Sequence, residues 1–351
     1  MSETNKKRKI AILTSGGDAP GMNNVISAVY KTIKAINSEK QANKSLSPEE
    51  KRPLELMLVK NGYKGILEKE IYEVDDRWKE LITISTKIGG TIIGTARFKS
   101  FEEEETRKKA KKILDEFGIE ALIAVGGNGT FAGLQKLSEL GVKCVGIPGT
   151  IDNDIVSSDV TIGFDTALNT IVDAIDRIRE TSDSHSRISI IETMGRHCGD
   201  LAIQAAVNCD LVATPDNPKI QEHELINIIK DLHTKQNLRS IVVLTTEHLY
   251  DVKKLAKNIE QELKVETRAT VLGQVQRGGS PSAFDRYLAT MMGIFAVEQL
   301  EKKGNSSSII GLNGNKLSAM PIQVALSMPK ADHFNAISKI LRLSGIFYKR
   351  K

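Results

Sequence analysis

In the first half of this chain, three short apolar runs each lead into a glycine-bearing turn. Lys9-Ile10-Ala11-Ile12-Leu13 leads into Thr14-Ser15-Gly16-Gly17-Asp18-Ala19-Pro20-Gly21-Met22-Asn23. Ala121-Leu122-Ile123-Ala124-Val125 leads into Gly126-Gly127-Asn128-Gly129-Thr130. Cys144-Val145-Gly146-Ile147 leads into Pro148-Gly149-Thr150-Ile151-Asp152-Asn153-Asp154. Such runs read as strands buried in a parallel sheet. Further strands are predicted at 187–191, 240–245 and 268–272, and helices at 103–117, 166–180, 222–232, 251–263 and 283–301. The alternation implies an α/β fold with largely parallel sheets. Each turn then lies at the carboxyl end of a strand, where open α/β sheets bind ligands.

The chemistry of the turns fits phosphate. Glycines let main-chain N–H groups approach an anion, and a following helix N-terminus adds a favourable dipole. Neither glycine loop is a P-loop, because no Gly-Lys-Ser/Thr follows. The segment after Pro148 sets two carboxylates, an amide and a hydroxyl within five residues. Phosphoryl transfer uses one carboxylate near the attacking hydroxyl and another near a divalent metal. The plainer alternative is an Asx-rich turn that caps a helix.

In the second half, Ile190-Ile191-Glu192-Thr193 precedes Met194-Gly195-Arg196-His197-Cys198-Gly199-Asp200, and 268–272 precedes Gly273-Gln274-Val275-Gln276-Arg277-Gly278-Gly279. Both place arginine beside glycine at a strand end. Arginine matches phosphate with two parallel donors, although pairing with a carboxylate is the equal alternative for any one of them. His185 and His197 have no nucleophile nearby in sequence, and no histidine pair has zincin spacing.

With 351 residues the chain can bury a sizeable core and is expected to form two domains. The net charge of +5 is modest, and the basic runs 6–9 and 349–351 read as solubilising termini rather than a nucleic-acid footprint. No apolar run reaches membrane-span length and no signal peptide is evident. Three cysteines without ligand spacing fit a reducing, cytoplasmic setting. Residues 37–53 are polar, lack periodicity and read as a surface insertion.

Five ordered motifs resemble the ATP-dependent 6-phosphofructokinase family, in its compact bacterial type. They are Gly-Gly-Asp-Ala-Pro-Gly-Met-Asn (16–23), Ala-Arg-Phe (96–98), Pro-Gly-Thr-Ile-Asp-Asn-Asp (148–154), Met-Gly-Arg (194–196) and Gln-Arg-Gly-Gly (276–279). The resemblance implies two similar Rossmann-like, three-layer domains, with the chain crossing between them more than once. It assigns residues 1–163 and 276–326 to a larger ATP-binding domain, and 164–275 and 327–351 to a smaller sugar-phosphate domain. It also implies a homotetramer with sugar-phosphate sites at subunit boundaries.

Carried over by position, the resemblance makes Asp152 the base toward the sugar 1-hydroxyl, and Thr150 a contact to the transferring group. Asp154 would help hold Mg2+, while Arg97 and Arg196 would neutralise the phosphoryl group in transit. ATP would lie over Gly17, Tyr63, Arg97, Phe98, Gly126, Gly127, Asn128, Gly129 and Thr130, with Gly133 leaving room beside it. Ile151, Met194, Gly195 and Glu247 would meet the sugar, and Arg187, Arg268, Gln274 and Arg277 its 6-phosphate. The implied reaction converts fructose 6-phosphate and ATP to fructose 1,6-bisphosphate and ADP.

Three departures qualify this. Asn128 stands where the family has a metal-binding aspartate, and Gln274 where bacterial members carry histidine. Ser27 and Leu238 replace basic effector contacts, although Lys31, Arg179 and Asp210 remain. Two rivals follow: a non-catalytic binding or regulatory paralogue, and a pyrophosphate-dependent enzyme. Against the second, Gly129 and Gly149 occupy positions where pyrophosphate users carry aspartate and lysine, and both are expected to leave space for ATP.

Overall fold

The computed structural model describes residues 7–215, 220–302, 304 and 306–329. The chain forms two compact units. The first holds the described residues up to Thr150, with Ile155–Gly163 and Arg277–Pro329; the second holds Ile151–Asp154 and the described part of Phe164–Gln276.

The first unit begins with β1 (Arg8–Thr14), α1 (Met22–Ala42), β2 (Leu54–Val59), α2 (Gly62–Leu67), β3 (Ile71–Glu73) and α3 (Asp76–Ile84). It continues with α4 (Glu104–Glu116), β4 (Ile119–Gly126), α5 (Asn128–Glu139) and β5 (Lys143–Pro148). The second unit contributes α6 (Phe164–His185), β6 (Ile188–Thr193), α7 (Asp200–Ala205), β7 (Leu211–Ala213), α8 (Glu222–Thr234), β8 (Ile241–Thr246), α9 (Val252–Leu263) and β9 (Thr267–Val271). The chain then re-enters the first unit with α10 (Ala283–Glu301), β10 (Ser308–Asn313), β11 (Lys316–Pro321) and α11 (Ile322–Ser327).

Among the described residues the first sheet runs β11-β10-β5-β4-β1-β2-β3, parallel except for its two outermost strands. Its central strands are almost wholly buried, which is why they are apolar on both faces. Register brings the turns into line: Thr14 pairs with Val125, and Gly126 with Pro148. The three glycine-bearing turns therefore leave one edge of one sheet. The second sheet, β7-β8-β6-β9, is wholly parallel. Thr193 pairs with Thr246 and Glu192 with Val271, so its turns also share an edge. Each sheet has its own apolar core, centred on Leu13, Leu122 and Phe131 in one unit and Ile190, Val243 and Ile229 in the other.

The predicted strands and helices are all present, shifted by a few residues at their ends. The insertion is not all irregular. Residues 37–42 complete α1, and the Asn37 amide donates to Leu54 O and accepts from Leu54 N, each at 2.8 Å, pinning the start of β2. Ser47 and Glu50 cap one another reciprocally. The N-terminal basic run is also not simply solvated: Arg8 pairs with Glu120 and Glu301, and Lys7 with Glu55. Lys6 and residues 349–351 lie outside the described residues.

Candidate active site

In the first unit the turn after β1 is laced from several directions. Ser15 N donates to Val125 O at 3.0 Å, and Thr130 Oγ1 donates to Ser15 O at 3.0 Å. Thr95 Oγ1 donates to Gly16 O at 2.9 Å, which ties the turn to the segment carrying Arg97 and Phe98. Gly126 has no alternative: a Cβ there would lie 2.3 Å from Thr130 Oγ1 and 2.5 Å from Ser15 O. Asn128 opens α5 and is exposed, and no acidic residue stands in the helix's first turn. The positive end of the helix dipole favours an anion at this position.

The two glycines expected to leave space for ATP differ. A Cβ on Gly129 would meet nothing within 4 Å, so this face of the loop is open. On Gly149 it would lie 2.8 Å from Val125 Cγ1 and 3.3 Å from Met22 Cε, so that space is packing room inside the unit. Gly133 is also closely packed. Its missing Cβ makes room for Tyr63 (2.9 Å from Cε2) and Phe101 (3.1 Å from Cδ1). Those two rings stack with centroids 4.1 Å apart.

Tyr63 itself is buried, and its hydroxyl donates to Thr130 O at 2.6 Å. Burial raises its pKa well above the ordinary phenol value, so it stays a neutral donor supporting the loop from beneath. Arg97 is exposed, and Phe98 packs partly against the core. Thr150 is 9% exposed, with its carbonyl accepting from Thr161 Oγ1 at 2.6 Å. Arg277, expected at the 6-phosphate, lies over Gly17: a Cβ there would be 2.4 Å from Arg277 Nη1. That nitrogen reaches Asp18 O at 3.4 Å.

In the second unit, Asp152 is 8% exposed and Ile151 is fully buried, so Ile151 can offer a ligand only its main chain. Asn153 takes the left-handed conformation (φ 51) that asparagine tolerates, and its amide donates to Asp200 Oδ2 at 2.8 Å. This joins the acidic motif holding Asp152 and Asp154 to the start of α7.

The turn after β6 is equally constrained. Gly195 has φ 134, and a Cβ there would lie 2.4 Å from Cys198 O. Arg196 is also left-handed (φ 54), and its N–H donates to Glu247 Oε1 at 3.0 Å. Met194 N donates to Gln276 Oε1 at 3.1 Å. Two expected 6-phosphate arginines meet a carboxylate absent from the sequence reading. Arg268 Nε donates to Glu266 Oε1 at 2.8 Å, and Arg187 Nη1 lies 3.7 Å from the same oxygen.

Sequence reasoning also passed over Gln276 and Asp200 as site residues. Gln276 had a signal, being an uncharged polar residue inside a glycine-arginine motif; Glu266 had none. Among the described residues no group of three His, Cys, Asp or Glu side chains forms a metal cage. Magnesium usually takes one or two carboxylates and completes its shell with water and substrate phosphates, so a single Asp154 carboxylate fits that mode.

Comparison with known proteins places this geometry in context. The phosphofructokinase family model matches residues 9–300. The chain is 42% identical to the ATP-dependent 6-phosphofructokinase of Spiroplasma citri, over 98% of this chain and 99% of that one. It is 44% identical to the ATP-dependent 6-phosphofructokinase 1 of Clostridium perfringens, over 95% of this chain and 100% of that one. Among solved structures, phosphofructokinase from Saccharomyces cerevisiae aligns with TM-score 0.77 and 32% identity, across 97% of this chain but 48% of the yeast chain. A pyrophosphate-dependent phosphofructokinase from Marinobacter aquaeolei aligns over 98% of this chain and 93% of that one with TM-score 0.78, but only 17% identity; this likeness shows the fold alone.

Proposed function

The chain belongs to the phosphofructokinase family, and from that premise we propose that it transfers the terminal phosphoryl group of ATP to the 1-hydroxyl of fructose 6-phosphate. The products are fructose 1,6-bisphosphate and ADP. The observation that carries this reading is the register of the first sheet, which lines the phosphate-type turns and the start of the acidic motif along one edge.

In this reading Asp152 takes the proton of the 1-hydroxyl as its oxygen attacks the γ-phosphorus, and the bond to the bridging oxygen of ADP breaks. A positioned base of this kind contributes about 10²–10⁴-fold. Arg97 and Arg196 neutralise charge on the group in transit, and Thr150 orients it. The main-chain N–H groups of the Gly126–Gly127–Asn128–Gly129–Thr130 loop hold the nucleotide phosphates, supported by Tyr63 beneath. Asp154 would hold Mg2+, which would supply charge neutralisation when bound with the nucleotide. Met194, Gly195 and Glu247 orient the sugar, and Arg187, Arg268, Gln274 and Arg277 bind its 6-phosphate.

ATP rather than pyrophosphate is the donor. Gly129 faces open space, and the packing around Gly149 excludes a lysine without displacement of Val125. The two units would act as ATP-binding and sugar-phosphate-binding domains. The working form would be a cytoplasmic homotetramer. Phe284, Tyr287 and Met291 stand exposed at helical spacing on α10, apolar surface that a second copy would cover. No described helix is long and apolar enough to cross a membrane.

Asn128 favours a second reading, a paralogue of weakened catalysis. One pair of assays separates the possibilities: ADP release by purified protein from ATP with fructose 6-phosphate, across a magnesium titration, beside orthophosphate release with pyrophosphate in place of ATP. Sugar-phosphate-dependent ADP release is expected. Its absence at saturating magnesium overturns the kinase assignment, and a higher kcat/KM for pyrophosphate overturns the choice of donor.

A further inference from the structure

Gln276 is fully buried, and both ends of its amide are engaged. Oε1 accepts from Met194 N at 3.1 Å, and Nε2 donates to Gly273 O at 3.0 Å. A primary amide accepts at one end and donates at the other without carrying charge. The two bonds join separate turns at the same edge of the second sheet. One follows β6 and carries Met194, Gly195 and Arg196; the other follows β9 and carries Gly273 and Gln274.

Both turns are conformationally demanding. Arg196 occupies the left-handed region, which is sterically unfavourable for a residue with a Cβ. Gly195 (φ 134) and Gly273 (φ 57) also have positive φ. Such geometry persists only where the surroundings over-determine it. Restraints around the first turn include the Glu247 carboxylate at the Arg196 amide, 3.0 Å, the Cys198 N–H at Gly195 O, 2.8 Å, and the Gln276 amide at the Met194 amide. Of these three, the Gln276 bond reaches across to the other turn.

We infer that Gln276 is a positioning residue for the sugar phosphate. It locks the 194–196 turn to the 273–274 turn, so the groups that orient the sugar and Gln274, which meets its 6-phosphate, keep one fixed spacing. The inference rests on the substrate assignment made above. A sugar phosphate has a set distance between ring and phosphate, so loss of that spacing weakens binding of the whole ligand. ATP, held by turns of the first unit, should not register the change.

Two variants test this. Gln276→Met keeps much of the volume and removes both hydrogen bonds. Gln276→Glu keeps the acceptor for Met194 and loses the donor toward Gly273. The expected result for Gln276→Met is a KM for fructose 6-phosphate raised on the order of tenfold or more, with the KM for ATP unchanged. Gln276→Glu should fall between it and wild type. Ile229→Val, a core change in α8 of the same unit, supplies the comparison: lowered Tm with neither KM moved. An unchanged sugar-phosphate KM in Gln276→Met, or both KM values rising together, overturns the inference.

Hydrogen exchange of the wild-type Met194 amide gives an independent reading that needs neither variant folding nor turnover. Slow exchange supports the clamp, and exchange as fast as in an exposed loop overturns it. A wild type with a slow Met194 amide and no turnover of fructose 6-phosphate would leave the clamp standing while removing the activity assignment.

Discussion

Asp152 stands in a motif held by neighbours rather than by its own flexibility. Asn153 is locked to Asp200, and Ile151 is sealed in the interior. In the proposed role of base, a residue fixed this way should be replaceable in shape but not in chemistry. Asp152→Asn is expected to lower turnover by about 10²–10⁴-fold while ATP affinity measured by calorimetry stays near wild type. Retention of more than about a third of the activity, far outside that range, would remove Asp152 as the base. Asn128 makes the complementary case. It opens α5, where the helix dipole favours negative charge, and in the proposed role it would offer a metal only a dipole. Asn128→Asp should therefore raise kcat/KM for ATP at limiting magnesium by roughly ten- to a hundredfold, the equivalent of about 1–3 kcal/mol of recovered stabilisation. The gain should shrink at saturating magnesium. Overlaying curves of kcat/KM against free magnesium would mean that position 128 does not serve the metal.

At the level of elements, strand β6 carries an unfavourable charge. The Glu192 carboxyl is held above the usual range, first by burial and then by the charge of Glu247. The native protein therefore keeps this proton at pH values where the unfolded chain has released it. Stability falls as pH rises from the ordinary glutamate range through the native pKa, and the penalty is complete above it. Glu192→Gln should raise Tm at about pH 8 and leave it near wild type at about pH 4, where the carboxyl is already neutral. Equal Tm differences at both pH values would show that packing, not ionisation, governs the site. Other elements reveal how sequence signals were lost. β2 is an apolar run, but it follows a segment read as irregular, and the last residues of α1 hide in that segment. The β10–β11 hairpin turns at Gly314 and Asn315, both with positive φ, and an Asn-Gly pair at 313–314 was its available signal.

For the molecule as a whole, regulation turns on Ser27 and Leu238, which stand where the resemblance leads one to expect basic effector contacts. Arg179 is a basic residue the resemblance leaves for an effector phosphate, but it is engaged within the protein. Its guanidinium donates to Asp210 Oδ2 at 2.8 Å and to Asn208 O at 2.7 Å, and the same Asp210 oxygen accepts from Val242 N. Leu238 packs partly against the second core and Ser27 is buried on α1. Activation by ADP should be weak or absent, since each missing charge-assisted contact removes about 1.5–3 kcal/mol. Initial rates against fructose 6-phosphate, with and without micromolar ADP, provide the check; a strong leftward shift would mean that other residues have rebuilt the site.

The sequence by itself determined the alternation of strand and helix and the three glycine-bearing turns of the first half, because apolar runs and glycines act over a few neighbours and need no knowledge of the fold. It also showed which residue types a phosphate site requires, and where they fall along the chain. Tertiary structure alone decided what those residues touch. Gly149 and Gly133 are glycines for internal packing, Tyr63 supports a loop from below, and Glu266 pairs with two expected phosphate arginines. The clamp at Gln276 was equally invisible, since it joins residues 82 positions apart. Each of these contacts depends on which strands become neighbours and in what register. That choice is made by burial of both faces of a sheet, a property of the whole core that no local window contains.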